Sequence, residues 1–311
     1  MHSATSTSII TSGSLASDPN AASAPSARIG LLTFIALVAF AGNSLLCRLA
    51  LTRTTIDAAS FTTIRLVAGA VVLLLLIRLR AGGHRPQGSW LSAVALFVYA
   101  AGFSFAYQSL TAGTGALLLF GAVQATMISV GVIRGDRLTM VQGSGLLLAY
   151  LGLVGLVLPG LAAPPLVSAA LMLTAGAAWG VYSLRGKGAG DPTAVTAGNF
   201  LRAVPMAVVL SAAASATRTL DLRGAIYAVA SGALASGVGY AVWYTALRGL
   251  RATNAATVQL CVPVIAALGG VVLLSEPLTP RLLIAGVAIL GGVALVVLTK
   301  RIAAPSRQVV E

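Results

Sequence analysis

The chain has 311 residues, of which 58% are hydrophobic and only 9% charged; 20 basic and 7 acidic residues give a formal net charge of +13. A soluble domain carries about a quarter charged residues, so this composition excludes an ordinary water-facing surface and points to a chain that crosses a bilayer many times. The basic excess does not read as nucleic-acid binding, because the charges come in ones to threes between long apolar segments and form no stripe.

Residues 1–27 differ from the rest. They are rich in Ser, Thr and Ala, with no basic leader and no sustained apolar core. They read as a cytoplasmic tail and not as a signal peptide. Ten apolar stretches follow, at about 29–50, 58–78, 91–109, 113–133, 140–158, 166–184, 194–213, 224–246, 254–274 and 281–299. Each is close to the ~20 residues that span a bilayer as a helix. Breakers such as AGGHRPQG, LPGLAAPP and GKGAGDP mark the connections.

With the N-terminus inside, thirteen Lys and Arg residues fall on inner segments. The outer loops hold only Arg53, Arg218, Arg223 and Arg281. This positive-inside bias supports both the helix count and cytoplasmic termini in a plasma membrane. The remaining three, Arg48, Arg65 and Arg202, lie within apolar stretches.

The chain is written twice. Setting Arg65 over Arg202, an offset of 137, also sets Gly102 over Gly239, Tyr107 over Tyr244 and Leu110 over Leu247. A shift to 140 sets GDRLT (Gly135–Thr139) over SEPLT (Ser275–Thr279), Gly152 over Gly292 and Leu158 over Leu298. A near-constant offset across separated stretches is an internal repeat. Each unit has an odd number of crossings, so the second enters from the opposite face, the inverted arrangement of secondary transporters. The expected fold is an all-α polytopic membrane protein with ten transmembrane helices in two inverted five-helix repeats. Its expected parts are tail 1–27, repeats 28–159 and 160–301, and a cytoplasmic tail 302–311.

Enzymatic constellations are nearly absent. The histidines are His2 and His84, the acids Asp57, Asp136, Asp191, Asp221 and Glu276 sit at the ends of stretches, and no Walker pattern appears. No enzyme activity, metal or cofactor is expected. Cys47 and Cys261 read as apolar packing residues. Thr139 and Gln142 form a capping-box pattern, and Thr279 with Pro280 suits a helix start. Asp136 and Glu276 three residues earlier are helix-end residues that favour positive helix termini or nearby arginines.

Polar and aromatic groups deep in apolar stretches must find a partner on another helix or a ligand. The cavity candidates are Asn43, Arg65, Tyr99, Gln124, Trp179, Tyr182, Asn199, Arg202, Tyr240, Gln259 and Pro263. Intramembrane arginines face wet or functional interiors or pin helix-end carbonyls, and both readings apply to Arg65 and Arg202. Pro263 frees the Gln259 carbonyl and favours a bend there. Trp90, Tyr107 and Tyr244 read as interfacial belt residues.

The segment from about 29 to 299 resembles the drug/metabolite transporter superfamily, EamA type. The resemblance rests on Arg65 and Arg202, on GDRLT and SEPLT, and on NAATVQLCVPVIAALGGVVLLSEPLT (Asn254–Thr279). The first half departs from the pattern, with Val123 opposite Pro263 and Asp136 in place of glutamate. The resemblance implies a central cavity open alternately to each side, and export of a small metabolite or drug without ATP. The partners implied are the lipid bilayer and a small-molecule substrate, with no nucleic acid, in a monomer or homodimer. A membrane-embedded enzyme or a non-transporting scaffold is the alternative.

Overall fold

A computed structural model describes residues 27–80, 85–135, 137–160, 163–186, 190–250 and 252–299, with the side chains of residues 252 and 253 left aside. Both tails (apart from Ala27), His84, Asp136 and Lys187 lie outside these residues. Ten helices run in chain order. They are α1 (Ala27–Arg53), α2 (Ala58–Leu79), α3 (Trp90–Ala106), α4 (Ala112–Ile133), α5 (Met140–Val157), α6 (Leu166–Gly186), α7 (Pro192–Ala213), α8 (Leu222–Leu247), α9 (Asn254–Leu274) and α10 (Pro280–Thr299). Nine are long and apolar enough to cross a membrane, and α3, at 17 residues, is shorter. The bounds fall within a few residues of the apolar stretches. The third ends at Ala106 instead of 109, because Tyr107–Ser109 form a turn.

Most helices begin where a short polar side chain replaces the missing intrahelical acceptor. Asp57, Ser89, Thr111, Thr139, Asp191 and Asp221 cap α2, α3, α4, α5, α7 and α8. Thr139 and Gln142 complete the capping box. Thr279 Oγ1 accepts from Leu282 N–H at the start of α10.

Size, not polarity, sorts side chains inside and out. Ala36, Ala41, Ala100, Ala116, Ala175, Ala203 and Ala266 are fully buried, while Phe34, Leu75, Leu151, Val209, Val272 and Ile284 are exposed. Lipid solvates large apolar groups as well as a protein core does, so small residues go where helices approach closely. Gly145 and Gly292, for example, face each other's backbone between α5 and α10.

The packing has an exchange pattern. α1 packs on α8 and α9, and α6 packs on α3 and α4. α2 meets α8 as α7 meets α3, while α2 pairs with α7, α4 with α9 and α5 with α10. These neighbours map onto one another when each helix is exchanged for the one five places along.

Two helices are interrupted. The centre of α8, Ser231–Val238, is π-helical, a widening common at functional sites. α9 breaks at Leu260, where Pro263 has no N–H to offer one turn back.

Polar staples close both ends of the bundle. At the end carrying the α1–α2 and α7–α8 connections, Asp57 Oδ1 accepts from Ser60 N–H (2.8 Å) and Oδ2 from Thr219 N–H (3.0 Å). Partial burial pushes this carboxyl up, but the hydrogen bonds it accepts outweigh that and hold it below the usual carboxylate range. Its contribution to stability is therefore complete above the unfolded value of about 3.9, and is lost as pH falls through the lower folded value. Asp57→Ala is expected to cost about 1–3 kcal/mol, through a lost cap and a lost staple. Asp57→Asn keeps a capping oxygen and is expected to flatten the acid limb of a melting-temperature-against-pH profile.

Candidate functional site

Five helices converge on one buried cluster. Arg65, on α2, is 2% exposed about 10 Å along its helix, at 1.5 Å per residue. Its guanidinium carbon lies 5.0 Å from the ring centroid of Phe103 and 5.6 Å from that of Tyr99, both on α3. These ring faces attract the cation but supply no directed acceptor. The Arg65 Nη1 is buried without a hydrogen-bond partner. Among the described residues the ion pairs are Arg48–Glu276 and Arg80–Asp191, so no carboxylate neutralises Arg65.

The ring of Tyr99 joins an aromatic stack. Trp179 of α6 lies 4.7 Å from Tyr99, 5.4 Å from Tyr240 of α8 and 5.1 Å from Tyr182, centroid to centroid. The last two pairs are nearly parallel, at 20° and 25°. Asn43 of α1 donates from Nδ2 to the Tyr99 hydroxyl (3.2 Å) and accepts from Ser231 Oγ (2.6 Å) at the start of the π-helical turn. That turn sits hard against α2: a Cβ on Gly232 would stand 2.0 Å from the Arg65 carbonyl oxygen. A cation, an amide, hydroxyls and stacked rings thus share one buried place.

Of the sequence candidates, Asn43, Arg65, Tyr99, Trp179, Tyr182 and Tyr240 come together here. Phe103 and Ser231 belong to the same cluster without having been singled out. Gln124 is buried in α4, where Gly176 and Gly180 bring α6 close, but it makes no hydrogen bond to the cluster. Gln259 is half-buried and Pro263 buried in α9, and neither joins it.

Arg202 goes elsewhere. Its Nη1 donates to the carbonyls of Gln87 (3.1 Å) and Gly198 (2.9 Å). Asn199 accepts from Ser89 N–H (3.0 Å) and donates to the Tyr182 hydroxyl (3.4 Å). Gln87 N–H donates to the Ala194 carbonyl (3.0 Å). The connection between α2 and α3 is thereby sewn onto the first turns of α7. Arg202 acts as a pin, and the two arginines at matching offsets have different roles.

At the opposite end, Arg48 gathers three segments. Its Nε donates to Glu276 Oε1 (2.9 Å), and its Nη1 donates to the carbonyls of Tyr107 (2.9 Å) and Gln108 (3.0 Å). The other Glu276 oxygen accepts from Ala112 N–H (2.7 Å), at the positive end of α4. Ser275, at φ 56°, takes the left-handed turn that ends α9, and Glu276 N–H returns to the Gly270 carbonyl. Arg48 could have been noticed from Arg185, which lies 137 residues on. Arg185 Nε donates to Ser92 Oγ (3.2 Å), and Nη2 reaches Ser89 Oγ (3.5 Å).

Tyr107 is not a belt residue. It is fully buried, its ring lies against Gly115, and its hydroxyl donates to the Ala112 carbonyl. The turn between α3 and α4 folds back over it. Tyr244 is half-buried, with its hydroxyl 3.4 Å from Thr196 Oγ1, whereas Trp90 is 62% exposed.

Residues 166–298 match the model of the EamA-like transporter family. An uncharacterized protein of Pseudomonas aeruginosa is 58% identical over 273 residues, which cover 88% of this chain and 95% of that one. An uncharacterized transporter of Archaeoglobus fulgidus is 28% identical over 193 residues, 60% of this chain and 68% of its own. A solved crystal structure, 17% identical, superposes with a TM-score of 0.61 over 88% of this chain and 99% of that chain, a likeness of fold. With ten apolar helices and relatives of this kind, the chain belongs to the EamA-like transporter family of integral membrane proteins.

Proposed function

We propose that the protein is a secondary transporter that exports a small amphipathic metabolite or drug across a bacterial inner membrane by alternating access. Both termini are cytoplasmic in this reading, and the moving units are the five-helix repeats 28–159 and 160–301. The observation that carries it is the Arg65–Tyr99–Trp179–Tyr240 cluster. It is buried, polar and aromatic, and it lies between α1, α2 and α3 on one side and α6 and α8 on the other. A static scaffold gains nothing from an uncompensated charge in such a place.

Two further features support alternating access. The exchangeable helix neighbours and the repeated offsets fit two near-equivalent states. The ends also differ: Arg48 ties α1 to Glu276 and the α3–α4 turn, whereas Arg185 in the matching place bonds serine hydroxyls. The Glu276 end, external by the positive-inside rule, is the locked one. Export is the direction that the family resemblance implies.

The test is growth of a bacterial host expressing the protein, on a panel of inhibitory amphipathic compounds that includes benzoate. Export predicts tolerance of at least one compound at a higher concentration, lost in Trp179→Ala at equal membrane abundance. Sensitisation would contradict export. An unchanged response to the whole panel, with the protein present in the membrane, would count against transport.

A further inference from the structure

From the geometry around Arg65 we infer that the cluster is a binding site for an organic oxyanion, a carboxylate or sulfonate on a flat apolar body. The inference rests on the transport reading above and names the class of substrate.

An arginine cannot shed its proton at this depth, so it stays charged. A buried charge without a partner is costly, and costlier where hydrocarbon surrounds the helices. Here Nη1 is buried and unpartnered, and the described carboxylates that pair with arginine pair with Arg48 and Arg80. The rings of Tyr99 and Phe103 offset part of the cost. A planar oxyanion offers what is missing, two acceptors that match the guanidinium fork.

The rest of the cluster reads the rest of the ligand. Trp179 and Tyr240 present nearly parallel rings suited to a flat apolar body. Asn43 and the Tyr99 hydroxyl stand beside them, already hydrogen-bonded to each other and to Ser231. Lysine, histidine and carboxylate side chains are absent from the cluster, so nothing there favours a cationic ligand. The ligand's negative charge could equally be met by an inorganic anion such as chloride, and the experiment separates the two.

Purified protein is melted in detergent, in a chloride-free buffer, with benzenesulfonate, benzenesulfonamide or benzylamine, and with chloride alone. Benzenesulfonate is permanently charged, so its charge does not depend on pH. The expected result is a dose-dependent rise in Tm with benzenesulfonate, a response at least ~10-fold weaker in concentration with the neutral sulfonamide, and none with benzylamine. In Arg65→Gln the preference for the anion disappears. Arg65→Met, which removes an unpartnered charge, melts at or above the parent temperature without ligand.

Equal stabilisation by the neutral or cationic compound, or an anion effect that survives in Arg65→Gln, overturns the inference and leaves the transport reading standing. Stabilisation by chloride but not by benzenesulfonate makes the site one for an inorganic ion and also overturns it. A well-folded parent that responds to none of the compounds, or a steep loss of apo Tm in Arg65→Met, shows a structural arginine and does the same. If benzenesulfonate binds through Arg65 but the host gains no tolerance to any compound, the oxyanion site stands and the transport reading falls.

Discussion

Glu276→Ala is expected to lower stability by about 3–5 kcal/mol, the range for breaking a largely buried ion pair from one side. The side chains of Arg48 and Glu276 are only 16% and 11% exposed. Removing the carboxylate strands the Arg48 guanidinium and leaves the Ala112 N–H at the start of α4 without its acceptor. It also unties α1, the turn after α3, and the end of α9. Glu276→Gln keeps an acceptor for Ala112 and loses the charge, so its cost is expected to fall well below that of the alanine variant. Combining Arg48→Met with Glu276→Ala should recover part of the loss, because no buried charge is then left alone. Melting temperatures of the four proteins in detergent complete the cycle. Equal melting of Glu276→Ala and the parent would show that the network does not hold this end closed.

Gly198→Ala is expected to be as damaging, for a steric reason. A Cβ at Gly198 would lie 1.4 Å from the Gln87 carbonyl oxygen, and helix and loop backbone cannot both stay in place. The α2–α3 connection must lift away and give up its bonds to Ala194, Asn199 and Arg202. Overpacking costs about 1–3 kcal/mol, and each abandoned buried hydrogen bond about 1 kcal/mol more, so a loss of about 3–5 kcal/mol is expected. Gly155→Ala on α5 is the control, because nothing lies within 4 Å of its added Cβ. It gains helix propensity of about 1 kcal/mol and should melt no lower than the parent. A Gly198→Ala protein that melts with the parent would contradict the docking of this connection on α7.

The helices were legible in the sequence because their signal is local. Runs of about 20 apolar residues bounded by Gly, Pro and capping residues carry their own boundaries. Thr139 with Gln142 could be read as a capping box because both bonds close within one turn. The site was legible only in part. Deep polar and aromatic residues had to be partnered, and six of the named candidates meet in one cluster. Which of them meet depends on partners far along the chain. Asn43 bonds Tyr99 and Ser231, 56 and 188 residues away, and no periodicity encodes that.

The same limit explains the two arginines. Arg65 and Arg202 occupy one repeat position, but the α2–α3 connection offers carbonyls to Arg202, while Arg65 faces the rings of Tyr99 and Phe103. Tyr107 looked interfacial because it stands at a helix end, and it is buried because the following turn folds back over it. The π-helical centre of α8 left only a weak mark, a stretch of Ser, Gly and Ala (Ser231–Gly237) that reads equally well as close packing.

The measurement closest to the central claim is counterflow of labelled benzenesulfonate into proteoliposomes loaded with the unlabelled compound. Its permanent charge keeps it from leaking through lipid in a neutral form. The account predicts transient accumulation of label by the parent protein and none by Arg65→Gln, with both proteins melting at similar temperatures. Equal accumulation by the two, or none by a well-folded parent, would contradict it.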